Sequence, residues 1–476
     1  MKTGIPLLVT QSSYRPDASK QSEFGMGLTR RAKKLFSAAN RDLAAPTEQR
    51  PIRVLFISIS FDPEPGAVMG LPLARYLERA GKYDVQVLTA IPWYPAGKIY
   101  PGYRFRLWQR EVIDGINVLR VPLYPSHDRS GFRRVLTYLS FAASAIVFGI
   151  PRIRPVDVVY YFDSLPTTGL VAFVASVLHR ARSVQHIGDL WPDTVLSSGM
   201  LPSSLSRIAE GIIGSWCRLL YRRHTAITVA SPGLKTRLVN RGVPGEKVSV
   251  VYTWASEDKF FPVPGDRSVW STIGGSDAFV VLYAGNLGPL QGLDTVLAAA
   301  ELLRHRPDIK VVIMGTGAAE QQLKTIAGKR GLRNVHFLSA RPLAEMNRIN
   351  ASADALLVHL RNIPLMHNTT PSKTQIGMAS ARPLLMGVGG DGAALVREAG
   401  AGLTFTPESP EEMAAAICRM ADMPLKEREE MGLRGREFYE KYLSVEAGAN
   451  RIAELFLKAA TPAIARSPGQ ISERQR

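Results

Sequence analysis

A short, unbroken apolar run recurs along this chain, each time followed by helical periodicity, and after a proline-rich break the whole pattern restarts. Arg53-Val-Leu-Phe-Ile-Ser-Ile-Ser60 is the first such run, and Phe279-Val-Val-Leu-Tyr-Ala284 opens the second series. Runs of this length with no polar alternation form strands buried on both faces, which requires parallel sheets covered by helices. The pattern therefore predicts an α/β protein of two Rossmann-like, doubly wound domains, with a ligand cleft at the carboxyl ends of their strands.

At 476 residues the chain has room for two such domains. The first is expected over residues 51–256 and the second over 257–434, with a seam near 255–275 marked by Pro262, Pro264 and Gly265. Residues 1–50 are polar, basic and poor in aliphatics, and are predicted to be a disordered extension. Residues 435–460 are expected as a C-terminal helix crossing back to the first domain, and 461–476 as a disordered tail. Local signals agree. Asp114-Gly115 predicts a hairpin turn, Pro72 and Gly81 the start and stop of a helix, and Ser409-Pro-Glu-Glu412 a capping box.

Composition excludes several classes. The two cysteines, Cys217 and Cys418, support neither a disulfide framework nor a thiolate zinc site, and suit a reducing cytoplasm. There is no Asp-x-Asp, no zinc-type histidine spacing and no Gly-x-Ser-x-Gly elbow, so hydrolase and metalloenzyme readings fall away. The net charge of +18 is concentrated in the first half, where residues 51–256 hold 24 Lys/Arg against 13 Asp/Glu; residues 257–434 are balanced. With no helix-turn-helix, zinc-finger or ribonucleoprotein signature, nucleic acid is not the expected partner. An anionic lipid surface or a phosphate-bearing acceptor fits the excess, and so does plain solubilising charge. No run reaches the ~18 apolar residues of a membrane span. The nearest, Val135–Ile150, follows Arg129, Arg133 and Arg134. It reads either as a buried crossover helix or as an apolar helix lying at a membrane surface.

Three stretches can carry chemistry. Tyr283-Ala-Gly-Asn-Leu-Gly-Pro-Leu-Gln-Gly-Leu-Asp294 follows a buried strand and opens a helix, so its glycines at 285, 288 and 292 could let backbone N–H groups approach an anion. It is neither a dinucleotide fingerprint nor a P-loop, and an ordinary tight turn is the alternative. Thr370-Pro-Ser-Lys-Thr-Gln375 would present Ser372 and Lys373 at a helix N-terminus, with Thr370 as cap, a place suited to a diphosphate; a solvated surface lysine is the alternative. His186-Ile-Gly-Asp-Leu-Trp-Pro-Asp193 ends a strand so that Asp189 and Asp193 face the cleft. Asp189 then orients a sugar hydroxyl or stabilises developing oxocarbenium charge, unless it only caps a helix.

Together, Asp-Leu-Trp-Pro-Asp, Ala-Gly-Asn-Leu-Gly-x-x-Gln-Gly-Leu-Asp and Pro-Ser-Lys-Thr-Gln resemble the family 4 retaining glycosyltransferases, in particular the branch building colanic acid, O-antigen and capsular polysaccharides. The resemblance covers roughly Arg53 to Ala459. It implies a GT-B fold and transfer from a UDP- or GDP-sugar with retained configuration. No metal cofactor is expected, and the acceptor is a polyprenyl-pyrophosphate-linked saccharide at the cytoplasmic membrane. Gly285, Asn286, Gln291, Ser372, Lys373, Thr374 and Gln375 are then the expected donor contacts. Asp189 and Lys373 are the catalytic candidates, and Gly66 and Gly70 belong to the loop facing donor or acceptor. Arg129, Arg133 and Arg134 are expected at the acceptor or membrane. One departure stands out: the family's two glutamates, eight positions apart, correspond to Asn368 and Ile376, so the ribose grip passes to Thr374 or Gln375 or is lost. An epimerase of the same architecture and a catalytically inactive subunit are the rival readings.

Overall fold

A computed structural model describes residues 50–64, 69–126, 131–162, 165–191, 193 and 203–461, with side chains of the last segment from 211 onward. All of the predicted extension but residue 50, all of the predicted tail but residue 461, and Gly66 and Arg129 lie outside the described residues.

The described chain contains two sheets. The first joins β1 (Ile52–Ile57), β2 (Tyr83–Ala90), β3 (Gln109–Ile113), β4 (Ile116–Val121), β5 (Val158–Tyr161), β6 (Arg182–Ile187), β7 (Ala226–Val229) and β8 (Val248–Val250) in the order 3-4-2-1-5-6-7-8. Only the β3–β4 pair is antiparallel. Its turn has φ 50° at Asp114 and φ 87° at Gly115, the doubly positive geometry that an Asp-Gly hairpin supplies. The second sheet joins β9 (Phe279–Ala284), β10 (Ile309–Met314), β11 (Val335–Leu338), β12 (Ala355–His359), β13 (Leu384–Gly387) and β14 (Gly402–Thr404), all parallel, in the order 11-10-9-12-13-14.

Both founding strands are buried on both faces. Val54 and Phe56 enter one core while Leu55 and Ile57 enter another, and in β9 Val280 and Leu282 part from Val281 and Tyr283 in the same way. This two-sided burial is why these runs lack polar alternation.

Helices cover each face. In the first half these are α1 (Leu71–Arg79), α2 (Gly131–Ser144), α3 (Pro166–His179), α4 (Ser203–Arg223) and α5 (Pro232–Asn240). The second half adds α6 (Leu293–Leu302), α7 (Glu320–Lys329), α8 (Leu343–Ser352), α9 (Ser372–Ala379), α10 (Asp391–Ala399), α11 (Pro410–Asp422), α12 (Leu425–Phe438) and α13 (Val445–Ala460). The last of these returns to the first sheet. Phe456 meets Phe56, Tyr83 and Tyr160 at ring-centroid distances of 6.5, 6.3 and 5.4 Å, and the Tyr83 hydroxyl donates to Ala453 O at 3.1 Å. A second bridge forms at α5, where Gly233 N donates to Asp391 Oδ2 (2.7 Å) and Ser231 Oγ to Asn368 O (2.8 Å).

Two local expectations need correction. Ser409 Oγ caps α11 by accepting from Glu412 N at 3.3 Å, but the Glu412 carboxylate accepts from Thr406 N (2.8 Å) rather than closing the box on the cap. Pro371, not Thr370, sits at the cap position of α9, and the buried Thr370 hydroxyl has no partner among the described residues.

The apolar stretch in the first half is longer than the sequence run suggests. α2 continues through a π-turn and a 3-10 turn, so that Gly131–Arg152 is one helical run long and apolar enough to cross a membrane, with a third of it buried. Its inner residues Phe141, Ala142, Ala145 and Ile150 pack with Leu88, Leu119 and Val121 of the sheet, which makes it a crossover helix. Its outer residues Phe132, Val135, Leu139 and Val147 are exposed, as are Val177 and Leu178 on neighbouring α3.

Candidate active site

At the carboxyl ends of β9 and β10 the backbone must turn sharply while staying close to its neighbour. Gly285 (φ 146°) and Gly315 (φ 143°) occupy those two positions, in a region of backbone space open only to glycine. A Cβ on Gly315 would overlap the Gly285 carbonyl oxygen, and one on Gly285 would stand 2.7 Å from Lys373 Cε. The Gly285 N–H is committed to Met314 O (2.9 Å), so this glycine is there to let Lys373 lie across the strand end rather than to offer a donor. The Asn286 N–H, next along, makes no hydrogen bond with the described residues.

Above the two glycines opens a cavity of about 450 Å³. Leu282, Met314 and Leu356 of the sheet form its base, α8 and α9 flank it through Met346 and Ile376, and Phe260 closes one side. Lys373 and Arg341 are its two cationic residues. Lys373 Nζ lies 3.5 Å from Gln291 Oε1 and 4.9 Å from the centre of the Tyr283 ring, and burial lowers its ammonium to about 8. Gln291 Oε1 and Asn286 O stand 3.0 and 2.7 Å from the Tyr283 hydroxyl. A buried phenol thus fixes the loop that carries the lysine's partner.

His359 locks the same loop from behind. Its Nδ1 donates to Gln291 O at 2.8 Å, because its Nε2 already accepts from Glu408 N at 3.2 Å. That pattern is the neutral imidazole, in keeping with a pKa lowered chiefly by burial.

Of the expected donor residues, the structure brings Gly285, Asn286 and Lys373 to the cavity. Gln291 stands behind Lys373 as its partner, and Ser372 is exposed in the first turn of α9. Thr374 and Gln375 are fully buried and absent from the lining, while Ile376 is on it. Helical periodicity explains this: positions 373 and 376 share the face of α9 that meets the cavity, and 374, 375 and 378 face the core. Arg341 and Asn350 also line the cavity. Arg341 follows β11, so the rule that singled out the other strand-end loops applies to it as well. Asn350 lies inside a helix, where nothing in the spacing marks it.

On the first domain, Asp189 follows β6 at the exposed strand end, and the protein crowded around its carboxyl raises its pKa through lost hydration. Asp193 is held by Arg237 (3.0 Å) and Arg241 (2.5 Å), which marks it as a structural ion pair. Gly70 is buried at the start of α1. The loop before it is anchored by Glu64, which accepts from the N–H groups of Phe61 (3.1 Å), Trp93 (2.8 Å) and Tyr94 (2.7 Å). Fully buried Arg120 pairs with Glu111 and donates to Ala90 O and Asp62 O, tying that loop to β2.

Two family models match this arrangement in chain order, the glycosyl transferase 4-like domain over residues 67–254 and the glycosyl transferases group 1 over residues 271–438. The chain belongs to the family 4 glycosyltransferases. Over 296 residues this glycosyltransferase is 28% identical to WcaI of Escherichia coli, named for colanic acid biosynthesis, covering 60% of this chain and 71% of the relative. It is 24% identical over 269 residues to the glycosyltransferase WbjE of Pseudomonas aeruginosa, covering 55% and 65%. HepE of Anabaena, solved with UDP and glucose, superposes with TM-score 0.58 at 18% identity over 85% of this chain and 98% of that one. WaaG, a glycosyltransferase of lipopolysaccharide biosynthesis, does so with TM-score 0.56 at 17% identity, covering 84% and 99%. The fold is GT-B, and the chain is a glycosyltransferase of the polysaccharide-biosynthesis type.

Proposed function

We propose that this glycosyltransferase takes its sugar from a UDP- or GDP-sugar, retains the anomeric configuration and extends a polyprenyl-pyrophosphate-linked saccharide at the cytoplasmic face of the membrane. The observation that carries the donor assignment is the cavity over Gly285 and Gly315 with Lys373 and Arg341 at it. A diphosphate supplies negative charge to these cations, and in the first turn of α9 the Ser372 and Lys373 N–H groups have no partner among the described residues and can serve the same use. Departure of the diphosphate from the face that receives the acceptor then needs positive charge at the leaving group, which Lys373 provides. Asp189 lies at the end of β6 to orient the acceptor or the sugar. Protein cations acting on the diphosphate make transfer independent of added metal, so activity should survive EDTA.

The test is a thermal-shift titration with UDP, GDP, ADP and CMP. Ligand at ~100 times its dissociation constant stabilises the fold by ~2.7 kcal/mol, a readily measured shift. A shift by UDP or GDP supports the donor reading. No shift with any nucleotide would favour a non-catalytic subunit, consistent with Asn368 and Ile376 at the glutamate positions. Donor turnover without acceptor would favour an epimerase.

The membrane assignment is supported by surface chemistry. The segment Arg104-Phe-Arg-Leu-Trp108 is exposed throughout, and Arg152, at the end of the helical run that α2 begins, brings its guanidinium 3.5 Å from the Trp108 ring centre. Arg133 is exposed and Arg134 half-buried in the first turn of α2. Interleaved cations and large apolar groups bind anionic bilayers, each cation contributing ~1 kcal/mol. The protein should sediment with phosphatidylglycerol vesicles at low salt, and Phe132→Ser with Leu139→Ser should release it. A wild-type chain that stays in the supernatant would defeat the assignment.

A further inference from the structure

Asn350 is a largely buried residue whose amide opens on the cavity and finds no partner among the described residues. Only 4% of it is exposed, and its side chain makes no hydrogen bond with the described residues, yet it lines the cavity. The protein leaves this amide to whatever enters the cavity, so water or a ligand has to supply its hydrogen bonds. Nearby polar residues on the same helix show the contrast. Asn347 Oδ1 accepts from Phe261 N and lies within reach of Ser380 Oγ, and Ser352 Oγ bonds to Arg348 O and Asp266 N.

The surroundings describe what the amide awaits. Leu282, Met314, Met346, Leu356, Ile376 and Phe260 make the wall apolar, while Lys373 and Arg341 bring cations to the same cavity. An apolar slot suits a flat heterocycle. A primary amide offers one donor and one acceptor side by side, the complement of a base edge that carries an N–H beside a carbonyl. We propose that Asn350 reads the polar edge of the donor's nucleobase, the imide of uracil or the lactam of guanine, while the cations hold the diphosphate. The inference rests on the donor reading above.

Asn350→Leu tests it, because leucine has the same number of side-chain heavy atoms and suits the apolar wall. Two readouts should move in opposite directions. The ligand-free variant should melt at or above the wild-type temperature, since the amide makes no bond within the protein that its removal would cost. Its affinity for UDP or GDP, whichever the wild type binds, should fall roughly 10- to 100-fold by calorimetry, the effect of one or two lost hydrogen bonds. Inorganic pyrophosphate, which has no base, should bind wild type and variant equally.

Unchanged nucleotide affinity in Asn350→Leu would overturn the assignment while leaving the donor site standing. So would equal losses for nucleotide and pyrophosphate, or a clear drop in the ligand-free melting temperature, each of which marks a structural role. A wild-type protein that binds no nucleotide would overturn the donor reading and this inference with it.

Discussion

Lys373→Ala is expected to lower kcat/KM for the donor about 10²- to 10³-fold, equivalent to ~3–4 kcal/mol of lost charge-assisted binding at a desolvated site. The same change should erase most of the thermal shift that a nucleoside diphosphate produces. The pH dependence is more diagnostic than the loss itself. Burial lowers the ammonium to about 8, so in the free enzyme the charge that grips the diphosphate fades as pH rises through 8. The plot of kcat/KM, which reports the free enzyme, should fall on that limb. Stability moves the other way. An unfolded lysine titrates near ~10.4, so between about pH 8 and 10.4 the unfolded chain binds more protons, and this group makes folding more favourable as pH rises. Donor affinity that declines while the melting temperature holds or climbs, with both trends absent in Lys373→Ala, would assign the limb to this residue. A limb that persists in the variant would assign it elsewhere.

Gly315→Ala should be the most damaging single methyl in the second domain. Its φ of 143° is closed to alanine, and the new Cβ would meet the Gly285 carbonyl, backbone against backbone, where no side chain can yield. Strain of 1–3 kcal/mol for the dihedral, plus separation of the β9 and β10 strand ends, totals ~3 kcal/mol or more. For a domain the size of the second one, residues 257–434, unfolding as its own unit, that corresponds to a drop in Tm of about 6–12 °C. Nucleotide binding should vanish with it, because the displaced segment carries Lys373's resting place. Gly328→Ala is the matching control. That glycine lies in helix α7 with nothing within 4 Å of the added Cβ, and alanine there should be neutral or mildly stabilising. Equal melting temperatures for the two variants would show that the glycine pair does not hold the strand ends together.

Much of this architecture is legible in the sequence because strands buried on both faces leave an unmistakable trace. β1 and β9 announce themselves, the Asp114-Gly115 turn follows from its two positive φ values, and Lys373 stands out between Pro371 and Thr374. What the sequence withholds is direction and partnership. Thr374 and Gln375 look like ligand contacts when read as a string, but one step along a helix turns a side chain by about 100°, and both face the core. Asp193 looks like a cleft residue until Arg237 and Arg241 arrive from a helix more than forty positions later. Asn350 is unremarkable among Asn-Arg-Ile-Asn-Ala-Ser352; only the absence of a partner in three dimensions distinguishes it.

The return of α13 to the first sheet has a consequence for the order in which this molecule is made. Phe56 and Tyr160 are synthesised early, but the ring that covers them belongs to Phe456. About 300 residues separate Tyr160 from that ring, which at ribosomal speed is roughly 15–60 s. During that interval the first half exists as an unfinished core with an aromatic hollow, while the second half can complete its own sheet. The domain that begins the chain is therefore the last to be sealed. A chain truncated before residue 445 would carry a whole second domain beside a permanently open first one, and so would present to chaperones and proteases an apolar face that the full-length protein hides.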